Sequence, residues 1–198
     1  MKKILIPLII IGGLIIILGS WYVNTNNNLV DMKGQATKQW ANVESSYQRR
    51  SDLIGNLVKT VQGAADFERG TLKDVIEARA KATSTTLDID NLTPENLAQF
   101  QQAQSGLSSA LSRLLVTVER YPDLKANQNF LELQSQLEGT ENRINVERNR
   151  FNNLAGEYNI KIAKIPTNFI ANIAGFDALA LFKSNSGAEN APDVDFDF

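Results

Sequence analysis

The chain has 198 residues with 20 basic and 22 acidic side chains, a net charge of −2, and neither histidine nor cysteine. The missing imidazole and thiol exclude a Ser-His-Asp triad, a thiolate nucleophile, disulfides and every metal site built on those ligands. A body this close to neutral also argues against a nucleic-acid partner, which needs a clearly basic face.

Lys2 and Lys3 precede an uncharged apolar run from Ile4 to Val23 that ends with Trp21 and Tyr22. About 20 helical residues cover ~30 Å, the thickness of a bilayer's hydrocarbon core, so residues 1–23 read as a retained transmembrane anchor. A cleaved signal peptide would have a shorter apolar centre and a small-residue cleavage site, which is not evident here. Trp21 and Tyr22 suit the headgroup level. The two lysines precede the span and the next cation is Lys33, so the amino terminus is expected inside and the soluble part outside the inner membrane of a bacterial cell.

Asn24 to Asn28 read as a polar collar. From Leu29 a helical ladder runs through Ala36, Trp40, Val43, Tyr47, Arg50, Ile54, Leu57, Val61 and Ala64, and it continues less strongly through Leu72, Val75 and Ile76 to about Ala82. Gly55 and Gly63 lie within it as kinks or close helix contacts. Residues 83–93 read as a polar linker, with Thr93 capping the next helix and Pro94 in its first turn. That Thr93 completes the Asn91-Leu92-Thr93 glycosylation sequon is better explained by the cap. The second ladder comprises Leu97, Phe100, Gln104, Leu107, Leu111, Leu114, Val118 and Tyr121, and Pro122 stops it. Asn129 with Glu132 resembles a capping box for a third helix of about 36 residues, ~54 Å long. Its ladder is Phe130, Leu133, Leu137, Thr140, Ile144, Glu147, Phe151, Leu154 and Tyr158. A short fourth helix is expected over Asn168–Lys183, its stripe of Phe169, Ile170, Ile173, Phe176, Leu179 and Phe182 turned into the bundle. Residues 184–198 carry four acids and no base, which leaves the rest at +2.

No strand pattern is present. Stripes on long helices joined by short connections must bury against each other, so the fold class is all-α: a transmembrane helix followed by an elongated antiparallel bundle of about four helices over residues 24–183, then an acidic disordered tail at 184–198.

The segments Arg113 to Leu115, Glu119 to Asn127 and Leu137 to Ile144, together with Arg49, Arg50, Asp52 and Asn56, form a long and specific pattern that resembles the LemA family. The resemblance covers the anchor and residues 29–183. It implies a bacterial membrane-anchored helical bundle without established enzyme activity. Some family members are associated with membrane shaping, and others are commonly encoded beside proteins bearing a TPM domain. Gly55 stands where the family pattern has proline, which implies a softer bend. Phe67-Glu68 stands where many members have His-Glu, which weakens a metal reading.

A polar network of family-motif residues is expected from Arg49, Arg50, Asp52, Asn56, Glu119, Tyr121, Pro122, Asp123, Asn127, Glu138, Glu141, Asn142 and Arg143. Arg50 falls on the core ladder, and buried charges must be paired, so an interhelical ion-pair network that fixes register is favoured over a ligand pocket. Glu138 and Glu141, three apart, could do acid–base work or bind a hard cation, but solvated helix charges explain them more simply. Trp40 and Tyr47 read as core rather than as a stacking platform. In the tail, Asp193, Asp195, Phe196, Asp197 and Phe198 could add as a strand to a partner's sheet edge, but a plain solubilising tail explains them more simply. The chain is therefore expected to be a non-catalytic scaffold without cofactor or metal, presenting its bundle to protein partners, including TPM-domain proteins or further copies of itself. Membrane shaping is the alternative.

Overall fold

The computed structural model describes residues 2–63 and 67–183, with side chains from residue 8 onward. Among these are six α-helices and no strand: α1 (Lys2–Gln62), α2 (Arg69–Ser84), α3 (Pro94–Val118), the single-turn α4 (Pro122–Lys125), α5 (Gln128–Ala163) and α6 (Thr167–Ala174). A 3₁₀ turn at Ile89–Asn91 joins α2 to α3.

The apolar run and the first bundle helix are one continuous helix of 61 residues, about 92 Å at 1.5 Å per residue. Its first part is long and apolar enough to cross a membrane and is nearly all exposed. From Leu29 one face is buried, and the seam from Ala36 through Trp40, Val43, Tyr47, Arg50, Ile54, Leu57 and Val61 is the face read from the ladder. Ala64 lies outside the described residues.

The ladder does not continue as one helix to Ala82. α1 ends at Gln62, next to Gly63, and α2 runs back along it: Arg79 Nε donates to the Ser51 carbonyl at 2.8 Å, and the Ser51 and Thr83 hydroxyls meet at 3.1 Å. Leu72 and Val75 are still buried, but in a second helix. Gly55 marks the close approach between the two, since a Cβ there would sit 3.2 Å from the Arg79 guanidinium carbon.

α3 is antiparallel to α2, with Gln104 Nε2 donating to the Ala82 carbonyl and Arg120 beside Glu68. α5 is antiparallel to α1, with Gln39 opposite Glu147 and Trp40 on Phe151. The result is an up-down-up-down four-helix bundle, α1 packed chiefly on α5 and α2 on α3. One core cluster, around Trp40, Tyr47, Phe100, Phe151 and Phe182, is aromatic. The other, from Leu53 to Leu137, is mostly aliphatic, with Phe67 and Phe130 among its members, and sits at the far end from the apolar run.

Four boundaries differ from the sequence reading. The 83–93 segment is not a purely polar linker: Leu87, Ile89 and Leu92 plug into the aromatic core, and the Leu87 carbonyl accepts from Trp40 Nε1 at 3.2 Å. The cap of α5 is Asn127, whose Oδ1 accepts from Phe130 N at 3.2 Å, and not Asn129. α3 ends at Val118, ahead of Tyr121. The fourth helix is only eight residues long. Gly175, at φ 74°, stops it in the left-handed conformation that a side chain would strain. Phe169 and Ile173, expected inside, are exposed.

Residues 176–183 then form an extended strap along α5. Asn159 grips Leu179 twice, Nδ2 donating to its carbonyl at 2.8 Å and Oδ1 accepting from its N–H at 2.9 Å. Two turns earlier Asn152 does the same for Phe182, at 2.9 Å in both directions. These amides supply the backbone partners that the strap lacks as a lone extended segment. The strap brings Phe182 onto Trp40, with centroids 5.7 Å apart and planes nearly parallel.

Candidate functional site

Arg50 enters the bundle on the core seam of α1 because the 3.6-residue period places position 50 there between Tyr47 and Ile54. It is 4 % exposed. Its Nη1 donates to Glu141 Oε2 at 2.9 Å and to Ser108 Oγ at 3.2 Å, and its Nη2 donates to Gln104 Oε1. Its guanidinium carbon lies 5.1 Å from the centre of the Tyr47 ring. Nε has no hydrogen-bond partner among the described residues. One side chain thus ties α1 to α3 and α5, and a buried cation tolerates only the registers that keep these partners in reach.

Arg50 forms the floor of a groove of about 320 Å³ between α3 and α5, walled by Leu111, Leu115 and Leu137 and edged by Glu138 and Glu141. The two carboxylates are not a matched pair. Glu141 is taken up by Arg50, and Glu138 is exposed and accepts from Gln134 Nε2 at 3.4 Å.

The other motif residues do not join this network. Arg49, Asn56, Asp123 and Asn142 are exposed. Asp52 is exposed, accepts from Gln48 at 3.0 Å and lies 3.8 Å from Arg79. Glu119 pairs with Lys125 across the α3–α4 corner. Tyr121 is half-buried against Phe67, ring centroids 4.9 Å apart, Pro122 opens α4, and Asn127 caps α5. Glu119 through Asn127 therefore build the corner between α3 and α5, a structural role. Arg143 is exposed and reaches Glu147 at 3.9 Å. The tail residues Asp193, Asp195, Phe196, Asp197 and Phe198 lie outside the described residues.

Two groups were not singled out from sequence. Glu147 is 5 % exposed, accepts from Gln39 Nε2 at 2.7 Å and is approached by Arg150 at 3.4 Å. Its place on the third ladder was the available signal, a carboxylate at a core position. Glu44 borders a smaller crevice of about 260 Å³ beside Tyr47, Thr83 and Thr86. Burial raises its carboxyl above the ordinary value, and the nearby Asp88 carboxylate adds to this. Burial also raises the Tyr47 phenol, against the lowering pull of Arg148 and Arg50. Nothing in the sequence pattern marks an exposed-face glutamate like this one.

A model of the LemA family matches residues 39–196. The chain belongs to the LemA family. Curated relatives include Magnetosome protein MamQ 2 of Paramagnetospirillum magneticum, 27 % identical over 180 residues, a match that takes in 82 % of this chain and 66 % of the relative. Magnetosome protein MamQ of Magnetospirillum gryphiswaldense is 28 % identical over 173 residues, 79 % of this chain and 64 % of the relative. Protein LemA of Metamycoplasma hominis is 24 % identical over 164 residues, 83 % of this chain and 71 % of the relative. The chain thus spans somewhat less than two thirds of the length of the MamQ relatives. Within this LemA-family chain the match begins on the buried seam of α1, at Gln39, and takes in the Arg50 network, the α3–α5 corner and the strap.

Proposed function

We propose that this LemA-family chain is a membrane-anchored structural and interaction module without catalytic activity, which presents its helical bundle to protein partners. The observation that carries the reading is the unbroken α1. One helix holds both an exposed apolar stretch of membrane-spanning length and the buried seam of the bundle, so the bundle stands on its anchor as a post. The polar groups support a non-catalytic role: Arg50 and Glu147, the most buried charges, are spent on interhelical contacts. The two lysines ahead of the span favour a cytoplasmic amino terminus and a bundle outside the inner membrane. TPM-domain proteins and further copies of the chain are the proposed partners, with the acidic tail as a second docking element.

Photo-crosslinking in cells from exposed bundle positions such as Arg49, Asn142 and Val116 tests this. Discrete adducts with a protein or with a second copy are expected, and none from any position would refute the interaction role. Deleting residues 187–198 should remove a subset of adducts if the tail docks.

A second reading, a membrane-organising protein, is favoured by the relatives named as magnetosome proteins. Vesicles carrying the reconstituted full chain would change shape on that reading and stay spherical on the first.

A further inference from the structure

The apolar surface of the bundle is not evenly spread. Val30, Ile76, Val116, Leu131 and Val146 are exposed singly, as is normal for a soluble surface. Ile165, Phe169 and Ile173, in contrast, are 79 %, 61 % and 77 % exposed within nine residues of chain. Phe169 and Ile173 are four apart on α6, hence on one face, and the opposite face buries Ile170 and Ala171.

The register of the bundle says where this face lies. Trp40 packs on Phe151. α5 runs on for twelve residues beyond Phe151, about 18 Å, which in an antiparallel pair reaches roughly the level of Asn28 on α1. α6 turns back there and packs on both α1 and α5. Trp21 and Tyr22 are only six or seven residues further along α1, about 10 Å away, at the level expected for the membrane interface. The charge matches a lipid surface too. Lys161 and Lys164 lie just ahead of α6, and no acidic residue occurs from Tyr158 to Phe176.

From this placement we infer that α6 and the α5–α6 corner are an interfacial foot, with Ile165, Phe169 and Ile173 dipping into the lipid and Lys161 and Lys164 facing anionic headgroups. The inference rests on α1 being the membrane anchor. The foot sets the bundle's height above the bilayer and gives the post a second point of contact.

The chain has no cysteine, so single labelled cysteines report cleanly. The full chain is reconstituted in vesicles of phosphatidylcholine and phosphatidylglycerol, carrying a nitrobenzoxadiazole label at Leu14→Cys, Phe169→Cys, Ile173→Cys or Val116→Cys. Blue-shifted emission and quenching by shallow doxyl lipid are expected at 169 and 173, quenching by deep doxyl lipid at 14, and neither at 116, which is at the far end of α3. In the Lys161→Glu/Lys164→Glu background the quenching at 173 should lose its dependence on phosphatidylglycerol. Water-like emission at 169 and 173 with position 14 in lipid overturns the foot and leaves the anchor standing. Shielded but unquenched labels at 169 and 173 assign the face to a protein partner or second copy, and overturn it as well. If position 14 is also water-like, the anchor fails and the foot with it.

Discussion

Arg50 and Glu141 differ sharply in exposure, 5 % against 49 % for their side chains, so the two halves of the pair should not cost the same to remove. Glu141→Ala leaves a buried guanidinium with Ser108 and Gln104 as its hydrogen-bond acceptors among the described residues, and with Nε already without one there. Breaking a buried pair in this way costs about 3 kcal/mol, the low end of its range because the lost carboxylate is half in water. Arg50→Met keeps most of the volume and lets Glu141 hydrate. Its main residual cost is the Gln104 carbonyl left without a donor, about 1–2 kcal/mol. In the Arg50→Met background Glu141→Ala should be close to neutral, which gives a coupling of ~3 kcal/mol.

Denaturant unfolding of the full chain in detergent reads this directly. Trp40 sits against Phe100, Phe151 and Phe182 and reports the bundle, and a Trp21→Phe background silences the apolar stretch. In a domain of this size Glu141→Ala should lower Tm by roughly 6–12 °C. A Glu141→Ala cost under about 0.5 kcal/mol, the value of a surface pair, or the same cost in both backgrounds, would refute the reasoning.

Tyr158 is fully buried, and burial, with a smaller contribution from Asp177, pushes its phenol up to about 12. Between pH ~10, where the unfolded chain loses this proton, and about 12 the folded chain keeps it, so stability falls as pH rises through that window. Tyr158→Phe should flatten the alkaline decline measured by circular dichroism, at a cost of about 1 kcal/mol at neutral pH for the hydrogen bond to the Asp177 carbonyl. Asn159→Ala strips both partners from the Leu179 backbone and should speed amide exchange at Leu179 and Phe182 while α5 stays protected, by mass-resolved hydrogen exchange. Gly175→Ala places a side chain at φ 74° and should destabilise by about 1 kcal/mol in the same unfolding assay.

Periodicity carried most of the fold. The seam of α1 from Ala36 to Val61 and the Thr93 cap with Pro94 are where the pattern put them, and α5 has the expected 36 residues, set two residues earlier. It failed where two structures share one period. A helix that folds back after Gly63 keeps the same three-and-four spacing through Leu72 and Val75 as one that runs on, so only the glycine hinted at the turn. The strap failed for the same reason: Phe176, Leu179 and Phe182 are three apart, which suits a helix, yet the backbone partners of Leu179 and Phe182 are the Asn159 and Asn152 amides seven residues apart on one face of α5. Gly175 was the legible sign that the helix stops. Of the candidate site, Arg50 was legible because a charge on an apolar ladder demands a partner, while Glu141 was one of several carboxylates in the expected network and read more simply as a solvated helix charge. Arg49, Asn56, Glu119 and Asn142 were not separable from them, since a motif marks which residues recur in a family and not which of them touch.

The Asn24–Asn28 collar shows how packing overrides local preference. Four asparagines and a threonine are poor helix formers, and by composition alone they would make a loose tether between span and bundle. They are helical instead, with Thr25 nearly and Leu29 wholly buried, at about the level that α5 reaches and on the helix against which α6 packs. The packing that holds the collar straight also removes the swivel. Each residue of a helix turns the chain by 100°, so an unbroken α1 fixes which side of the bundle faces which side of the apolar stretch. A tethered bundle would sample every azimuth and tilt above the bilayer. On the anchoring proposed above, this one holds α6 at a set angle close to the Trp21–Tyr22 level and the Arg50 groove at a set distance from it.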